Sequence, residues 1–136
     1  MSREIEIYAT GDVFLNTKDN TNPFSQTAGY FQGEVSLINL ETVIANSCKD
    51  LNATPKSVSL CQTPDMLENL ELCKLNIVNI ANNHIHDYGQ KELRETIKNL
   101  TNWGISIFGK SVNTANFKTH QVENLQISFS GIYLNK

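Results

Sequence analysis

Residues 76–89, NIVNIANNHIHDYG, join a short apolar run to a dense group of polar side chains. The apolar half is rich in Ile and Val and is bounded by polar residues, which is typical of a buried strand. Five residues able to form hydrogen bonds or to bind a metal then follow it: Asn82, Asn83, His84, His86 and Asp87. A turn needs fewer polar groups than this, so the stretch predicts a site at the end of a strand.

The composition is that of an ordinary globular protein. The chain has 136 residues, of which 40% are hydrophobic and 18% charged, enough to build one domain with a core. We therefore expect a single domain over residues 1–136. The formal net charge is −3, and Lys and Arg are scattered, so we expect no nucleic-acid partner.

Two further features bear on location and redox state. The first residues, MSREIEIYAT, contain no apolar run as long as a signal peptide or a membrane span. The chain is therefore interpreted as cytoplasmic or as a part of something larger, and its localisation stays open. Cys48, Cys61 and Cys73 are odd in number and include no Cys-x-x-Cys pair, so we predict free thiols without a disulfide or a zinc knuckle.

Strand-like and helix-like segments alternate along the chain. Strands are predicted at 4–9, 34–41, 76–81 and 105–109, with a loop at 17–33 that includes at most a short helix. Helices are predicted within 63–75, with Thr63 as N-cap and Pro64 at the first helical position, and within 89–104, ending at Gly104. Residues 117–134 predict a hairpin that turns near Glu123 and Asn124. The order favours an α/β fold, a parallel or mixed sheet layered with helices.

Three polar clusters each follow a predicted strand: Gly11 with Asp12, residues 39–41, and residues 82–87. Sites in such sheets form beyond the carboxyl ends of the strands, so the clusters should converge at one edge. Asp12, Glu41, Asn83 and a histidine offer ligands suited to divalent Mn, Fe, Zn or Mg. A carboxylate bridging two metals would support phosphoester hydrolysis.

Each of these residues also has a structural interpretation. A strand-terminal Asp such as Asp12 commonly caps a turn, and Asn82 and Asn83 could satisfy turn amides. His84 could cap its own loop. His86 and His120 are interpreted as structural histidines.

The segments GDVFLN, INLETVI and NIVNIANNHIHDYGQKELRETIKNLTNWGISIFGKSVNT occur in this order, and they resemble the capsule-synthesis, poly-γ-glutamate-synthesis family of CapA type. That family is similar in fold to calcineurin-like metallophosphoesterases. The resemblance implies Asp12 as the first metal-binding aspartate, Glu41 as the bridging acid, and Asn83 with His84 as the Asn-His pair of that fold. Phe14 stands where the phosphoesterase pattern has a histidine.

The resemblance also implies supporting roles. Asp87 would orient His84 or its loop, and both would be the catalytic residues of a phosphoesterase. Asn39 and Asn82 would lie behind the metal ligands, with Asn39 supporting Glu41. Family members are about twice this length, so the chain is expected to be an amino-terminal half that could self-associate through the edge left near residues 126–134.

Three functions stay open from the sequence. The first is a part in making or exporting capsule or poly-γ-glutamate, with an anionic polymer and a membrane synthesis complex as partners. The second is a metal-dependent phosphoester hydrolase that acts on a phosphorylated small molecule. The third is a binding module without catalysis.

Overall fold

The computed structural model describes residues 4–15, 22–31, 33–109, 116–122 and 125–131. The strands are β1 (Ile7–Val13), β2 (Val35–Leu40), β3 (Val43–Ile44), β4 (Cys61–Gln62), β5 (Ile77–Asn79), β6 (Ser106–Phe108), β7 (Asn116–Val122) and β8 (Leu125–Gly131). The α-helices are α1 (Met66–Leu70) and α2 (Gln90–Asn102), and short 3-10 helices cover Ala28–Tyr30 and Glu71–Cys73.

A parallel sheet lies at the centre of the fold. Within the described residues it has four strands in the order β1-β2-β5-β6, and every pairing in it is parallel. Parallel neighbours need crossover connections, and α1 and α2 lie in those that lead to β5 and β6. The predicted α/β class is confirmed. In the described part of the chain, antiparallel pairing is confined to the β7–β8 hairpin, so the central sheet is parallel rather than mixed.

Side chains alternate between the two faces of this sheet and so build two cores. Ile38, Leu40, Val78 and Ile107 face the helices, where they pack with Leu67, Leu70, Leu93 and Leu100. Val35, Ile77 and Phe108 face the opposite side and pack with Val122, Ile127 and Phe129 of the hairpin. The central strands are thus covered on both faces, as parallel sheets usually are. No helix in the described ranges is both long and apolar enough to cross a membrane.

The hairpin prediction is confirmed by the antiparallel register from Asn116↔Gly131 to Val122↔Leu125, while the predicted turn residues Glu123 and Asn124 lie outside the described residues. On β8, Gln126, Ser128 and Ser130 are exposed, and Ile127 and Phe129 are partly covered. The self-association predicted for this edge stays a prediction.

The first strand differs from its prediction. It covers Ile7–Val13 rather than residues 4–9, and its register with β2 shifts between Ala9 and Asp12. Two residues of β1 there oppose one residue of β2, which is a β-bulge, and bulges re-aim side chains. Gly11 and Asp12 therefore lie inside the strand and not in a turn after it.

The first helix is shorter than predicted, because the chain turns before and after it. Thr63 and Pro64 lie in a turn with i→i+3 hydrogen bonds, so Asp65 takes the N-cap position. Lys74 adopts the left-handed conformation after the 3-10 helix, so Leu75 lies beyond the helix. In α2, by contrast, Gly104 follows the helix with φ +74°, as expected for a helix-ending glycine.

The prediction of free cysteines is wrong for two of the three. Cys48 and Cys61 form a disulfide, and Cys73 is free and buried. Burial raises the pKa of the Cys73 thiol. The pairing was missed because Cys61 sits on β4, which pairs in parallel with β3. This two-stranded sheet brings the two ends of the loop between β3 and β4 together.

Gly109 allows β6 to end directly against the start of the predicted site. Its φ is +77°, and a Cβ placed on it would lie 2.6 Å from the Ala81 Cβ and 2.7 Å from the Ala81 nitrogen. Gly104 shares the positive φ but has open space around the same position. Substitutions at Gly104 and Gly109 therefore share the free-energy cost of a left-handed backbone, and only the substitution at Gly109 adds the cost of a steric clash.

We expect Gly109→Ala to lower the free energy of unfolding by about 2–4 kcal/mol, since a left-handed backbone costs about 1–2 kcal/mol and overpacking about 1–3 kcal/mol. Gly104→Ala should cost only about 1–2 kcal/mol, from the backbone alone. Urea unfolding followed by circular dichroism measures both. Equal losses in the two variants would show that Gly109 does not pack closely against Ala81.

Candidate functional site

Asparagine side chains connect three of the parallel strands at their carboxyl ends. Asn39 Nδ2 donates to Asp12 Oδ1 at 2.5 Å, and Asn39 Oδ1 accepts from Asn79 Nδ2 at 2.9 Å and from Asn82 Nδ2 at 3.2 Å. We call Asn39, Asn79 and Asn82 the asparagine network. It links β1, β2 and β5 through neutral groups that each donate and accept.

Asn82 also fixes the turn that follows β5. It is buried, its Nδ2 donates to the Leu40 carbonyl at 2.8 Å, and its Oδ1 accepts from the backbone N–H of His84 at 3.0 Å. This is an Asx turn, in which a side-chain carbonyl replaces a backbone acceptor. Asn82 therefore satisfies turn amides and at the same time contacts Asn39.

The same turn carries a histidine paired with a buried carboxylate. His84 Nδ1 lies 2.8 Å from Asp87 Oδ2, and the Asp87 side chain is 0% exposed. Asp87 Oδ2 also accepts from the Leu60 N–H at 2.6 Å, while Oδ1 contacts the Lys56 ammonium. Because a buried carboxylate is costly unless it is paired and hydrogen-bonded, these contacts explain how Asp87 stays buried.

Lys56 is a site residue that the sequence did not reveal. Its ammonium donates to the Asn83 carbonyl at 3.0 Å and lies 3.2 Å from His84 Nδ1, and its side chain is 27% exposed. It comes from the loop between β3 and β4, which carried no motif or periodicity. Only the fold brings residues 56 and 84 together.

The contacts of His84 Nδ1 select one tautomer. A lone pair on Nδ1 would face the Asp87 oxygen at 2.8 Å, which is unfavourable, whereas an Nδ1–H would donate to it. The Lys56 ammonium can direct its hydrogens to Asp87 and Asn83 instead. We therefore assign the proton of the neutral ring to Nδ1, which leaves Nε2 as the acceptor.

The predicted metal ligands lie along the same edge. Asp12 is near the end of β1, Glu41 directly follows β2, and Asn83 follows β5. Glu41 donates its backbone N–H to the Val13 carbonyl at 3.0 Å, and its half-buried carboxylate has no hydrogen bond among the described residues. The described hydrogen bonds of Asn39 are to Asp12, Asn79 and Asn82 and not to Glu41, so the predicted support of Glu41 by Asn39 is wrong.

The donor chemistry of this edge suits a hard cation. Two carboxylates and a carboxamide offer the oxygen ligands that Mg²⁺ and Mn²⁺ prefer. No group of three or more His, Cys, Asp or Glu residues in the described ranges is arranged to hold a metal. The metal site predicted from Asp12, Glu41 and Asn83 stays a prediction, and these residues offer oxygen donors of the kind that such a cation would need.

The other histidines lie apart from this group. His86 Nδ1 lies 3.5 Å from Gln90 Nε2, and the His86 ring has no described hydrogen bond with Asp87. Burial lowers the pKa of His86 below its ordinary value of 6.5. His120 lies on β7 opposite Ile127.

A parallel sheet with carboxylates, amides and a His–Asp pair at its carboxyl edge defines an α/β protein with a strand-end polar site, compatible with a metallophosphoesterase-like layered fold. The family model of the bacterial capsule synthesis protein PGA_cap matches residues 6–133. Since this match covers most of the chain, the chain belongs to that family. A comparison with curated proteins gives no match.

Replacing Asn39 should uncouple the three strands at this edge. We expect Asn39→Leu to lower the free energy of unfolding by about 2–4 kcal/mol, because it leaves one side-chain N–H of Asn79 and one of Asn82 without an acceptor, at about 1–3 kcal/mol each. Asn52 is exposed in a loop, so the control Asn52→Leu should change stability by less than about 0.5 kcal/mol. Denaturant unfolding of both variants tests this, and similar values for the two would contradict the role of the network.

His86 should make stability depend on pH. The pKa of His86 is lower in the folded than in the unfolded protein, so the unfolded state binds the proton more readily below pH 6.5. The stability contributed by neutral His86 is therefore present above pH 6.5 and is lost as pH falls through the lower, folded pKa. We expect the unfolding free energy of His86→Gln to decrease less than that of the wild type between pH 7.5 and pH 5.5. Parallel pH profiles for the two proteins would argue against this contribution.

Proposed function

We propose that this chain takes part in making or exporting an anionic bacterial surface polymer, either poly-γ-glutamate or a capsular polymer. The observation that carries the proposal is the match of the capsule synthesis family over residues 6–133. The carboxyl edge of the sheet is the surface that would meet the polymer or its phosphorylated precursor. The partly exposed Lys56 ammonium beside His84 supports an anionic partner there.

A second candidate is a metal-dependent phosphoesterase, which the geometry of His84 favours. The buried Asp87 carboxylate would orient the ring and stabilise an imidazolium, and the other ring nitrogen, Nε2, would protonate the leaving oxygen. Asp87 is thus a positioning residue in this reaction, while His84 would contact the reacting atoms.

Asp12, Glu41 and Asn83 would hold the cation in this scheme. A divalent metal held there would polarise a phosphoryl oxygen of the substrate and activate a water molecule. Asn39 would keep the Asp12 carboxylate aimed at the cation, since it already donates to Asp12 Oδ1. The exposed side-chain carboxamide of Asn83 would add a neutral oxygen ligand. The backbone carbonyl of Asn83 would keep its hydrogen bond from Lys56.

The disulfide favours a protein that functions outside the reducing cytosol. Structural disulfides persist in oxidising compartments and are rare where thiols are kept reduced, and Cys48–Cys61 closes a loop that contacts the site. A place in a membrane synthesis complex agrees with this location.

Metal binding and turnover should separate in two variants. We expect Glu41→Ala to lose Mn²⁺ binding in isothermal titration calorimetry, because it removes a carboxylate with no other described partner. We expect His84→Ala to keep Mn²⁺ but to lose about 10²- to 10⁴-fold in phosphoester hydrolysis, the usual effect of removing a general acid. Glu68→Ala, at an exposed carboxylate on α1, is the control and should change neither quantity.

The result also decides between the remaining functions. If the wild type binds no divalent metal and cleaves no phosphoester, the hydrolase assignment falls. Saturable binding of poly-γ-glutamate that is weakened in Lys56→Met would then favour the binding module. Binding of neither polymer nor phosphoester would contradict the whole proposal for this edge.

A further inference from the structure

The charge balance of the site depends on a segment outside the strand-end motifs. Among the described residues, the Asp87 carboxylate has one contact from its own turn, which is with His84 Nδ1. Its other two partners, the Lys56 ammonium and the Leu60 N–H, come from the loop between β3 and β4. The position of the buried carboxylate, and with it the His84 ring, therefore depends on where this loop lies.

The loop is attached to the turn by few contacts. Thr54 donates its N–H to the Asp87 carbonyl at 2.7 Å and its hydroxyl to the His86 carbonyl at 3.2 Å. Residues 52–58 are exposed and have no helix or strand. With little apolar burial of its own, such a segment is held by its polar contacts and by the closure of its ends.

The Cys48–Cys61 disulfide provides that closure. The two residues are 13 apart in sequence and partly accessible. Cys61 directly follows Leu60, which donates to Asp87. The cross-link restricts the loop to conformations near the turn, because it removes the freedom of its ends.

We propose that the segment 48–61 is a disulfide-closed clamp that positions His84 through Asp87, with Lys56 as its positioning residue. The chemical step that opens it is thiol–disulfide exchange with a dithiol reductant. A thiolate of the reductant attacks one sulfur, the second thiol resolves the mixed disulfide, and two electrons convert Cys48 and Cys61 to thiols while the reductant becomes a disulfide. Once the clamp is open, Lys56 and Leu60 no longer hold Asp87, and His84 loses its fixed tautomer.

This inference deepens the proposed function and rests on it for its catalytic meaning, but its test does not require activity. In the ¹⁵N-labelled 136-residue protein, the ¹⁵N shifts of the imidazole nitrogens report which nitrogen carries the proton. We expect oxidised wild type to show His84 with the proton on Nδ1 at a pH where the ring is neutral. Reduction with dithiothreitol should move His84 towards the mixture of tautomers found in a solvent-exposed ring and leave His120 unchanged.

Variants separate the role of Lys56 from that of the loop in general. Lys56→Met should change the ¹⁵N chemical shifts of the His84 ring in the same direction as reduction does. Lys56→Arg should restore the wild-type chemical shifts, because it returns a cation to Asp87. Lys49 is exposed on the same loop and makes no described contact with the turn, so Lys49→Met should leave His84 unchanged. Cys73→Ala controls for the free thiol and should leave the response to dithiothreitol intact.

Three results would overturn the clamp. The first is a His84 tautomer that is the same in the oxidised, reduced and Lys56→Met proteins. The second is a lack of rescue by Lys56→Arg when Lys56→Met is folded. The third is loss of the amide spectrum of the central sheet on reduction or in Lys56→Met, which would make the segment a brace for the whole fold. If the tautomer responds as expected but no phosphoester is cleaved, the clamp stands and only the hydrolase assignment fails.

Discussion

The buried carboxylate of Asp87 is the interaction on which the site depends. It lies at the point where the turn after β5, the loop that carries Lys56 and the start of β4 come together. Removing one partner of a buried ion pair typically costs about 3–5 kcal/mol, because the other charge is left without compensation. Part of that cost is relieved here by the exposure of Lys56. The three segments are nevertheless held together by a charge that none of them could bury alone.

The strand ends use a different solution, since they are connected by neutral amides rather than by charges. Asn39 can donate to the Asp12 carboxylate and accept from Asn79 and Asn82 at the same time, which no carboxylate or ammonium could do. Replacing it with a charged residue would bring either a like charge beside Asp12 or a cation where a metal is proposed to bind. The neutral network thus fixes the Asp12 carboxylate without compensating its charge, which leaves that charge free to attract a cation.

The sequence predicted those parts of the fold that depend on local pattern. Apolar alternation and helical spacing located the four central strands and α2, and the polar residues that follow those strands were predicted at the carboxyl edge of the sheet. What it could not reveal depends on contacts between distant residues. Lys56 meets His84 across 28 residues, and the pairing of β3 with β4 brings together the two ends of the loop that the Cys48–Cys61 disulfide closes. The extent of β1 was misjudged for a related reason, since its bulge is a property of the pairing with β2.

The site therefore combines a rigid part with a part that can yield. Asp12, Asn39 and Asn82 are fixed by the parallel sheet and two cores, so they can move only if the sheet opens. The Lys56 segment has exposed residues, no regular structure and a few polar contacts, so it can detach at a much smaller free energy. The His84–Asp87 hydrogen bond joins residues three apart, but it holds the ring in one tautomer only while Asp87 is kept buried. Because the Lys56 and Leu60 contacts that keep Asp87 in place come from that segment, its detachment exposes the carboxylate to water and releases both the tautomer and the orientation of the ring.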